Sequence, residues 1–330
     1  PAARAGLTPA DLANLEFKWA LGFPAGTSVS TQPAVVGGRI YIGGPGNGIY
    51  ALDAKSGCAH WKTETAGEVR GAIQAFKRAD GSLMLIAADR KAMVYGLDAE
   101  TGKILWQDKG EDHPWAMNTG SAAFHDGTVY VPFASFEELA GGSPTYECCT
   151  FRGSVNAYEL ETGKRLWKTY LIPEPAKKTV KAGNGTQLWG PSGVAVWSQP
   201  TIDAKAGAIY LTTGDSYSAP AADTSDSIVA LDLKTGAIRW HKQMTADDAF
   251  TAACVAHNAD PIGRGGCGPD IDFGSSAILR TLPNGKRVLL AGQKSGVMHA
   301  IDPDAQGAVL WQKRLSPGGV LGGIEWGYAA

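Results

Sequence analysis

The segment IYALDAKSGCAHW (49–61) recurs along the chain as VYGLDAETGKILW (94–106), VNAYELETGKRLW (155–167), IVALDLKTGAIRW (228–240) and, one residue longer, MHAIDPDAQGAVLW (298–311). Each copy has an apolar run, an acidic residue, a turn with glycine, a second run and a final tryptophan. Glycine supplies the positive φ that ends such a turn, and alternating runs rich in β-branched and aromatic residues are typical of strands. Each copy is therefore predicted to be a β-hairpin that closes on a tryptophan.

The spacing of the closing tryptophans predicts the architecture. They are Trp61, Trp106, Trp167, Trp240 and Trp311, with Trp19 a candidate for an earlier one, and successive members lie 42, 45, 61, 73 and 71 residues apart. The short intervals fit a four-stranded propeller blade, and the long ones fit the same blade with insertions. A further strand pair precedes the hairpins at 32–44, 121–133 and 198–214. We expect one incomplete propeller domain over 1–330, with about five whole blades and the beginning of a sixth, as a fragment of a longer chain.

Composition excludes two classes of partner. Charged residues make up 19% of the chain, the formal net charge is -2, and no basic run offers a face for phosphates. We therefore expect no nucleic acid partner. No apolar stretch approaches the roughly 20 residues of a membrane helix, so we expect no membrane span.

The five cysteines do not have the paired spacing of a zinc site. Cys254 and Cys267 flank a loop rich in Gly, Pro and Asp, which predicts a disulfide there, and the adjacent Cys148 and Cys149 are candidates for a vicinal one. Disulfides indicate an oxidising compartment. Free thiols in a cytosolic protein are the alternative.

The repeat A-x-D-x-x-T-G-x-x-x-W resembles the tryptophan-docking motif of the quinoprotein alcohol dehydrogenases, which use pyrroloquinoline quinone (PQQ). The segments GPSGVAVWSQPTID (190–203), TGDSYS (213–218), SDSIVALDLKTG (225–236) and YECCTFRGSV (146–155) are most similar to the polyvinyl alcohol dehydrogenase group of that family. The resemblance implies an all-β propeller with eight blades when complete, of which five to six are present here. It also implies a periplasmic enzyme that oxidises alcohols, polyvinyl alcohol or other secondary alcohols among them, with PQQ and Ca²⁺ and with cytochrome c as electron acceptor.

The resemblance assigns four residues to PQQ binding. Trp197 corresponds to the tryptophan that forms the floor beneath PQQ, and Thr119 to a threonine that touches it. Arg70 matches an arginine on a PQQ carboxylate, and Lys294 a Lys or Arg near the quinone oxygens. A flat tricarboxylate needs such an aromatic plane and such cations. Core packing for Trp197 and a solvated surface for the cations are the structural alternatives.

The resemblance likewise assigns the acidic residues. Glu137, with Glu138 as the alternative in register, and Asp215 correspond to calcium ligands, and their oxygens are of the type that Ca²⁺ prefers. Asp272 matches the aspartate that accepts the alcohol proton, with Asp270 as its rival, and one of these two is also a metal ligand. Carboxylates at i and i+2 on a strand share a face, and each raises the pKa of the other, which suits a general base. Solvated loop acids are the alternative.

Two other functions compete with this hypothesis. A propeller with the same repeat and no cofactor would be a binding or assembly scaffold of the cell envelope, and a relative that has lost PQQ is the third. The C-x-x-C-H motif for haem c is absent, so the cytochrome domain that often precedes such propellers is expected outside this sequence. No G-x-G-x-x-G in a usable context supports nicotinamide binding.

Overall fold

The structure is a computed structural model that describes residues 8–23, 29–256 and 267–329. Helix within these ranges is confined to α1 (Glu137–Ala140), α2 (Ala253–Ala256) and the 3-10 segments Pro9–Asn14 and Pro303–Ala305. In chain order, the strands are β1 (Ala34–Val36), β2 (Arg39–Gly44), β3 (Gly48–Asp53), β4 (Ala59–Glu64), β5 (Gln74–Lys77), β6 (Leu83–Ala88), β7 (Met93–Asp98), β8 (Ile104–Lys109), β9 (Ala116–Met117), β10 (Ala123–His125), β11 (Thr128–Ser135), β12 (Ser154–Glu159), β13 (Arg165–Tyr170), β14 (Lys177–Lys181), β15 (Gln187–Gly190), β16 (Ser192–Gly193), β17 (Thr201–Asp203), β18 (Ala208–Thr212), β19 (Ser216–Ser218), β20 (Ser227–Asp232), β21 (Ile238–Gln243), β22 (Ile278–Thr281), β23 (Arg287–Gly292), β24 (Val297–Asp302) and β25 (Ala308–Arg314).

These strands form five antiparallel sheets with a four-stranded path each. The sheets run β1–β4, β5–β8, β10–β13, β17–β18–β20–β21 and β22–β25, and the short β9 adds to the end of β11. The first strands of successive sheets contact each other, as in the pairs β1–β5, β10–β17 and β17–β22. The fourth strands are the most exposed, since every residue of β25 is exposed and β4 is only partly covered. The all-β, four-stranded blades predicted from the repeat are therefore confirmed.

The closing tryptophan of each sheet lies on the turn glycine of the next. The rings lie so close to these glycines that a Cβ there would overlap them; the pairs are Trp19 with Gly57, Trp61 with Gly102, Trp106 with Gly163, Trp167 with Gly236 and Trp240 with Gly307. The indole Nε1 of Trp106 also donates to the carbonyl of Leu160 at 2.8 Å. Neighbouring blades are thus joined by one repeated contact, which also identifies Trp19 as a docking residue.

The turns that carry these glycines are held by their acidic residue. In β7–β8, for example, Asp98 Oδ1 accepts the backbone amide of Thr101 at 2.8 Å and its hydroxyl at 2.6 Å. Such a bond satisfies donors that a tight turn leaves unpaired. Trp311 differs from the other closing tryptophans, which are buried or half-buried, because it is 48% exposed. No turn glycine of a following sheet covers it in the described part of the chain.

Insertions between strands supply the remaining structure. α1 lies between β11 and β12, and the hairpin β14–β15 follows β13. β16 and β19, which flank β17 and β18 in the chain, pair with each other as a separate two-stranded sheet. Both predicted disulfides are present, Cys148–Cys149 and Cys254–Cys267, and the Cα atoms of the second pair are 5.9 Å apart. Cys58 is a free, exposed thiol. None of the helices among the described residues combines the length and the apolar character needed to cross a bilayer.

Candidate active site

A cavity of about 190 Å³ is lined by side chains that lie far apart in the sequence, from Arg70 to Lys294. Its charged lining consists of Arg70, Glu138, Asp215, Asp272 and Lys294. Arg70 precedes β5, Glu138 belongs to α1, Asp215 follows β18, Asp272 precedes β22, and Lys294 lies in the turn between β23 and β24. Each belongs to a connection between strands, where a rigid blade can hold a functional side chain.

Three carboxylates converge in the same place. One oxygen each from Asp215, Asp270 and Asp272 lies within 4.8 Å of the others, and all three residues are buried. The backbone of Asp215 is fixed because its carbonyl accepts the amide of Val194 at 2.7 Å. The carboxylate of Asp248 accepts the amide of Asp270 at 3.1 Å and thereby fixes the segment that carries the other two. Three acidic groups around one point form a candidate site for a hard cation.

Lys294 lies between two of these carboxylates. Its Nζ is 2.7 Å from Asp270 Oδ1 and 2.7 Å from Asp272 Oδ1, and the side chain is buried. Burial lowers the pKa of Lys294, but Asp272 and Asp270 raise it by more, so the pKa lies above its ordinary value. The side chain is therefore an ammonium that offsets part of the negative charge.

Trp197 joins the charged cluster to an aromatic surface. Its Nε1 donates to Asp272 Oδ2 at 3.1 Å, and Lys294 Nζ lies 5.4 Å from the centre of its ring. The ring meets Trp326 edge to face at 5.4 Å, and the guanidinium of Arg70 lies 5.7 Å from the ring of Trp326. Trp197, Arg70 and Thr119 line the 190 Å³ cavity and also a larger one of about 630 Å³. Thr119 itself donates weakly to the carbonyl of Trp197 at 3.5 Å.

The carboxylates retain unused acceptor capacity. Asp215 Oδ2 is buried with no hydrogen-bond partner among the described residues. Asp272 Oδ1 has the Lys294 ammonium at 2.7 Å but no well-directed hydrogen bond. A buried carboxylate oxygen without a donor costs free energy unless a cation or a ligand completes it. The residues present therefore fit a bound cation.

Burial and mutual repulsion change the acidity of the cluster. Burial, and then the charge of Asp272, raises the pKa of Glu138 to about 7. The same two causes raise the pKa of Asp270 to about 8. Burial, followed by Glu138 and Asp272, raises the pKa of Asp215 well above its ordinary value. Strong shifts of this kind in a cavity are typical of functional sites.

Glu137 does not line the cavity, in contrast to the expectation from its place in the sequence. Its carboxylate accepts the backbone amide of Phe151 at 2.7 Å and that of Thr150 at 2.9 Å, and it also binds the hydroxyl of Tyr146 at 3.0 Å. Burial raises the pKa of Glu137, but hydrogen bonds led by that of His113 lower it by more. Glu137 thus holds the loop after Cys149, while Glu138, the alternative in register, faces the cavity.

The other predicted residues meet at one place. Arg70, Thr119, Trp197, Asp215, Asp272 and Lys294 line the cavity together, and Asp270 contacts it through Lys294. The Cys148–Cys149 pair is buried in a core cluster and lies outside the lining of both cavities. Sequence reasoning missed Tyr217, which also lines the cavity. Its position two residues after Asp215 in TGDSYS was the available signal, because residues i and i+2 on a strand share a face.

Comparison with known proteins identifies the family of the chain. Residues 18–252 match the family described as "PQQ: Glucose/ethanol/alcohol dehydrogenase, beta-propeller domain". The chain is 38% identical over 331 residues to a polyvinylalcohol dehydrogenase of Pseudomonas sp, covering 98% of this chain and 50% of the relative. It is 40% identical over 333 residues to that of Sphingopyxis sp. (strain 113P3), with the same coverage. The chain thus spans about half the length of these curated relatives.

Solved structures show the same fold. The quinohemoprotein alcohol dehydrogenase ADHIIG of Pseudomonas putida HK5 superposes with a TM-score of 0.63 at 24% identity, covering 88% of this chain and 42% of that one. At this identity the likeness concerns the fold alone. The family match and the two relatives, together with the blades and the cavity, show that this chain belongs to the PQQ-dependent alcohol dehydrogenase propeller family.

Proposed function

We propose that this chain forms the catalytic propeller of an alcohol dehydrogenase that uses PQQ and Ca²⁺ and oxidises polyvinyl alcohol or other secondary alcohols. One observation carries the proposal. Three buried carboxylates, Asp215, Asp270 and Asp272, bring oxygens within 4.8 Å of one another, and Asp272 also bonds to the Trp197 indole. A scaffold without a cofactor has no need for this costly concentration of buried charge.

The residues around the cavity fit a flat polyanion. Trp197 offers a ring on which a flat aromatic ligand can stack, and Arg70 and Lys294 offer cations for its carboxylates and carbonyl oxygens. Thr119 adds a hydroxyl to the lining. The apolar residues Phe136 and Leu139 also line the cavity and suit the hydrocarbon part of an alcohol.

The cation site that we propose consists of Asp215, Asp272 and Glu138, so Glu138 takes the role first assigned to Glu137. Asp215 Oδ2 supports this role because it is buried and lacks a donor. Ca²⁺ would bind these oxygens and cancel their repulsion. Asp270 is a further ligand candidate, because it belongs to the same cluster of carboxylates, and Lys294 engages it and Asp272 alike at 2.7 Å.

The proton chemistry falls to the aspartates. Asp272 accepts the hydroxyl proton of the alcohol, held in orientation by the Trp197 indole at 3.1 Å and the Lys294 ammonium at 2.7 Å. Asp270 is its rival, and burial with the charge of Asp272 raises the pKa of Asp270 to about 8, near the range of a general base. PQQ, when bound, supplies the two-electron acceptor of the oxidation. Lys294 stabilises negative charge that develops beside it.

The cellular setting follows from the same proposal. We propose cytochrome c as the electron acceptor, as the resemblance implies, and the periplasm as the compartment. The two disulfides, Cys148–Cys149 and Cys254–Cys267, support an oxidising compartment. A haem c domain outside the present sequence stays part of the proposal.

The test is reconstitution of the full-length protein with PQQ and Ca²⁺, followed by dye reduction with a panel of alcohols. The panel contains polyvinyl alcohol, short secondary alcohols and primary alcohols of matched length. We expect dye reduction that requires PQQ, Ca²⁺ and an alcohol together and that is lost with EDTA. A protein that binds no PQQ, or binds it without reducing the dye for any alcohol, would establish the scaffold or the cofactor-free relative instead.

A further inference from the structure

Tyr217 differs from the other buried tyrosines in its hydrogen bonding. Each of the other five donates its hydroxyl to a protein acceptor, and the pairs are Tyr41 with Ala99, Tyr95 with Asp89, Tyr130 with Leu233, Tyr158 with Asp108 and Tyr210 with Asp203. Tyr217 is only 1% exposed, and none of the hydrogen bonds found among the described residues involves its hydroxyl. This oxygen is not one of the fully enclosed polar atoms without a partner, so it reaches accessible space, and the missing protein acceptor needs an explanation.

Tyr217 lines the 190 Å³ cavity, and its surroundings hold the residue in place. Its ring stacks on Phe151 with centroids 6.2 Å apart and an interplanar angle of 19°. Its strand β19 is fixed on both sides, because Ser216 donates to Asp248 at 3.1 Å and accepts from Phe250 at 2.8 Å on one edge, and β19 pairs with β16 on the other. The backbone that carries the ring is therefore held, and a partner for the hydroxyl can reach it through the cavity that Tyr217 lines.

The charges around Tyr217 identify the kind of partner. Tyr217 lines the cavity together with the carboxylates of Glu138 and Asp215, and its phenol hydroxyl is an O–H donor. Asp215 Oδ2 in the same cavity lacks a donor, but no hydrogen bond joins it to Tyr217 among the described contacts. A cation satisfies Asp215 and cannot accept from the phenol. An anionic oxygen held beside that cation satisfies the cation and the phenol together.

We infer that Tyr217 is a cofactor-binding residue, whose hydroxyl donates a hydrogen bond to an anionic oxygen of PQQ on the side of Glu138 and Asp215. The inference rests on the proposed function and extends it to a residue outside the set that the family resemblance assigns. Its expected contribution is to affinity, because a neutral donor to a charged acceptor stabilises the bound cofactor.

The test is PQQ binding by Tyr217→Phe in the full-length protein with saturating Ca²⁺, measured by the quenching of tryptophan fluorescence. Phenylalanine keeps the ring and its stacking on Phe151. We expect PQQ to bind about 10- to 100-fold more weakly, the range for one hydrogen bond to a charged group. The thermal unfolding midpoint of the metal-free protein should not fall, since no protein acceptor loses its donor.

The matched control is Tyr130→Phe, which removes the hydroxyl that donates to the carbonyl of Leu233 at 3.2 Å. This variant should unfold at a lower temperature and bind PQQ like the wild type. Equal PQQ affinity of Tyr217→Phe and wild type overturns the inference, and so does a variant that changes only the KM for the alcohol, which would assign the hydroxyl to the substrate. A wild type that binds no PQQ refutes the proposed function itself, and the inference falls with it.

Discussion

The ring of Trp61 lies against Gly102 of the next sheet, so close that a Cβ on Gly102 would stand 2.6 Å from the indole. Two hydrogen bonds to the same turn reinforce the contact: Trp61 Nε1 donates to the carbonyl of Ala99 at 3.3 Å, and the Thr63 hydroxyl donates to the carbonyl of Gly102 at 2.6 Å. Gly102 has a φ of +74°, so it serves the turn and the docking contact at once.

Gly102→Ala should therefore destabilise the protein by about 2–4 kcal/mol, from an unfavourable backbone conformation plus overlap with the Trp61 ring. Gly127→Ala is the matched control. Gly127 has a φ of +73°, and a Cβ added to it would meet nothing within 4 Å, so this variant should lose only about 1 kcal/mol. Urea unfolding followed by fluorescence measures both. Equal losses would show that the docking contact adds nothing.

Glu138→Gln should weaken Ca²⁺ binding by about 10- to 100-fold, because affinity for Ca²⁺ depends on the number of charged ligands. Glu137→Gln should leave Ca²⁺ affinity nearly unchanged and lower stability by about 1–3 kcal/mol, since an amide offers one uncharged acceptor oxygen in place of the two charged ones that bind Phe151, Thr150 and Tyr146. Calorimetric titration of Ca²⁺ and thermal unfolding separate the two effects. The opposite ranking would return the metal role to Glu137.

Asp272→Asn should retain PQQ and lower kcat by about 10²- to 10⁴-fold, because the shape of the site survives while the base does not. Asp270→Asn, its neighbour across Lys294, should lower kcat by less than about tenfold. Dye-reduction kinetics with bound PQQ quantified by absorbance give both values. A larger loss for Asp270→Asn would make Asp270 the base.

Trp197→Ala should weaken PQQ binding by more than about tenfold, whereas Trp197→Phe should retain part of the affinity through its smaller ring. The alanine variant also removes the indole donor to Asp272 at 3.1 Å. Equilibrium dialysis against PQQ measures affinity without relying on tryptophan fluorescence. Wild-type affinity in the alanine variant would exclude Trp197 as the floor of the site.

The metal-free protein should lose stability as pH rises from about 4 to about 8. Burial and the charge of Asp272 raise the pKa of Glu138 to about 7 and that of Asp270 to about 8, from ordinary values of 4.5 and 3.8, while Lys294 partly opposes both shifts and Asp248 adds to that of Glu138. In this window, the folded protein holds protons that the unfolded chain has released, so each increase in pH favours unfolding.

Thermal unfolding in EDTA at about pH 5 and about pH 8 checks this prediction. Ca²⁺ should remove most of the loss at the higher pH, because it neutralises the same carboxylates. Glu138→Gln should also reduce the loss. A midpoint that rises with pH in EDTA would contradict the prediction.

The blades could be predicted from sequence because their signals are local. Asp98, Thr101 and Gly102 build one turn by contacts between near neighbours in the chain, and the same pattern repeats along the sequence. The convergence of Trp197, Asp215 and Lys294 followed from the resemblance, since the blade scaffold places the loops that carry them. Neither pattern nor resemblance states which of two adjacent side chains faces a cavity.

Glu137 and Glu138 show that limit most clearly. Consecutive residues on a helical turn point about 100° apart, so a difference of one position separates a side chain that lines the cavity from one that anchors a loop. The backbone amides of Thr150 and Phe151 decide the outcome, and they belong to a loop whose path no local pattern specifies. The sequence could not single out Tyr217 for a similar reason, because no local pattern shows that its side chain lines the cavity.

The docking of each closing tryptophan on the following sheet has a direction, and that direction coincides with synthesis on the ribosome. The ring of Trp61 remains uncovered until the turn at Gly102 has emerged, and the same delay recurs for Trp106 and Gly163. Each newly made blade thus seals the one made before it. In a nascent chain that folds blade by blade, only the docking tryptophan of the last completed blade would lack its covering turn. A pause in translation would then expose the edge of that blade rather than the whole core.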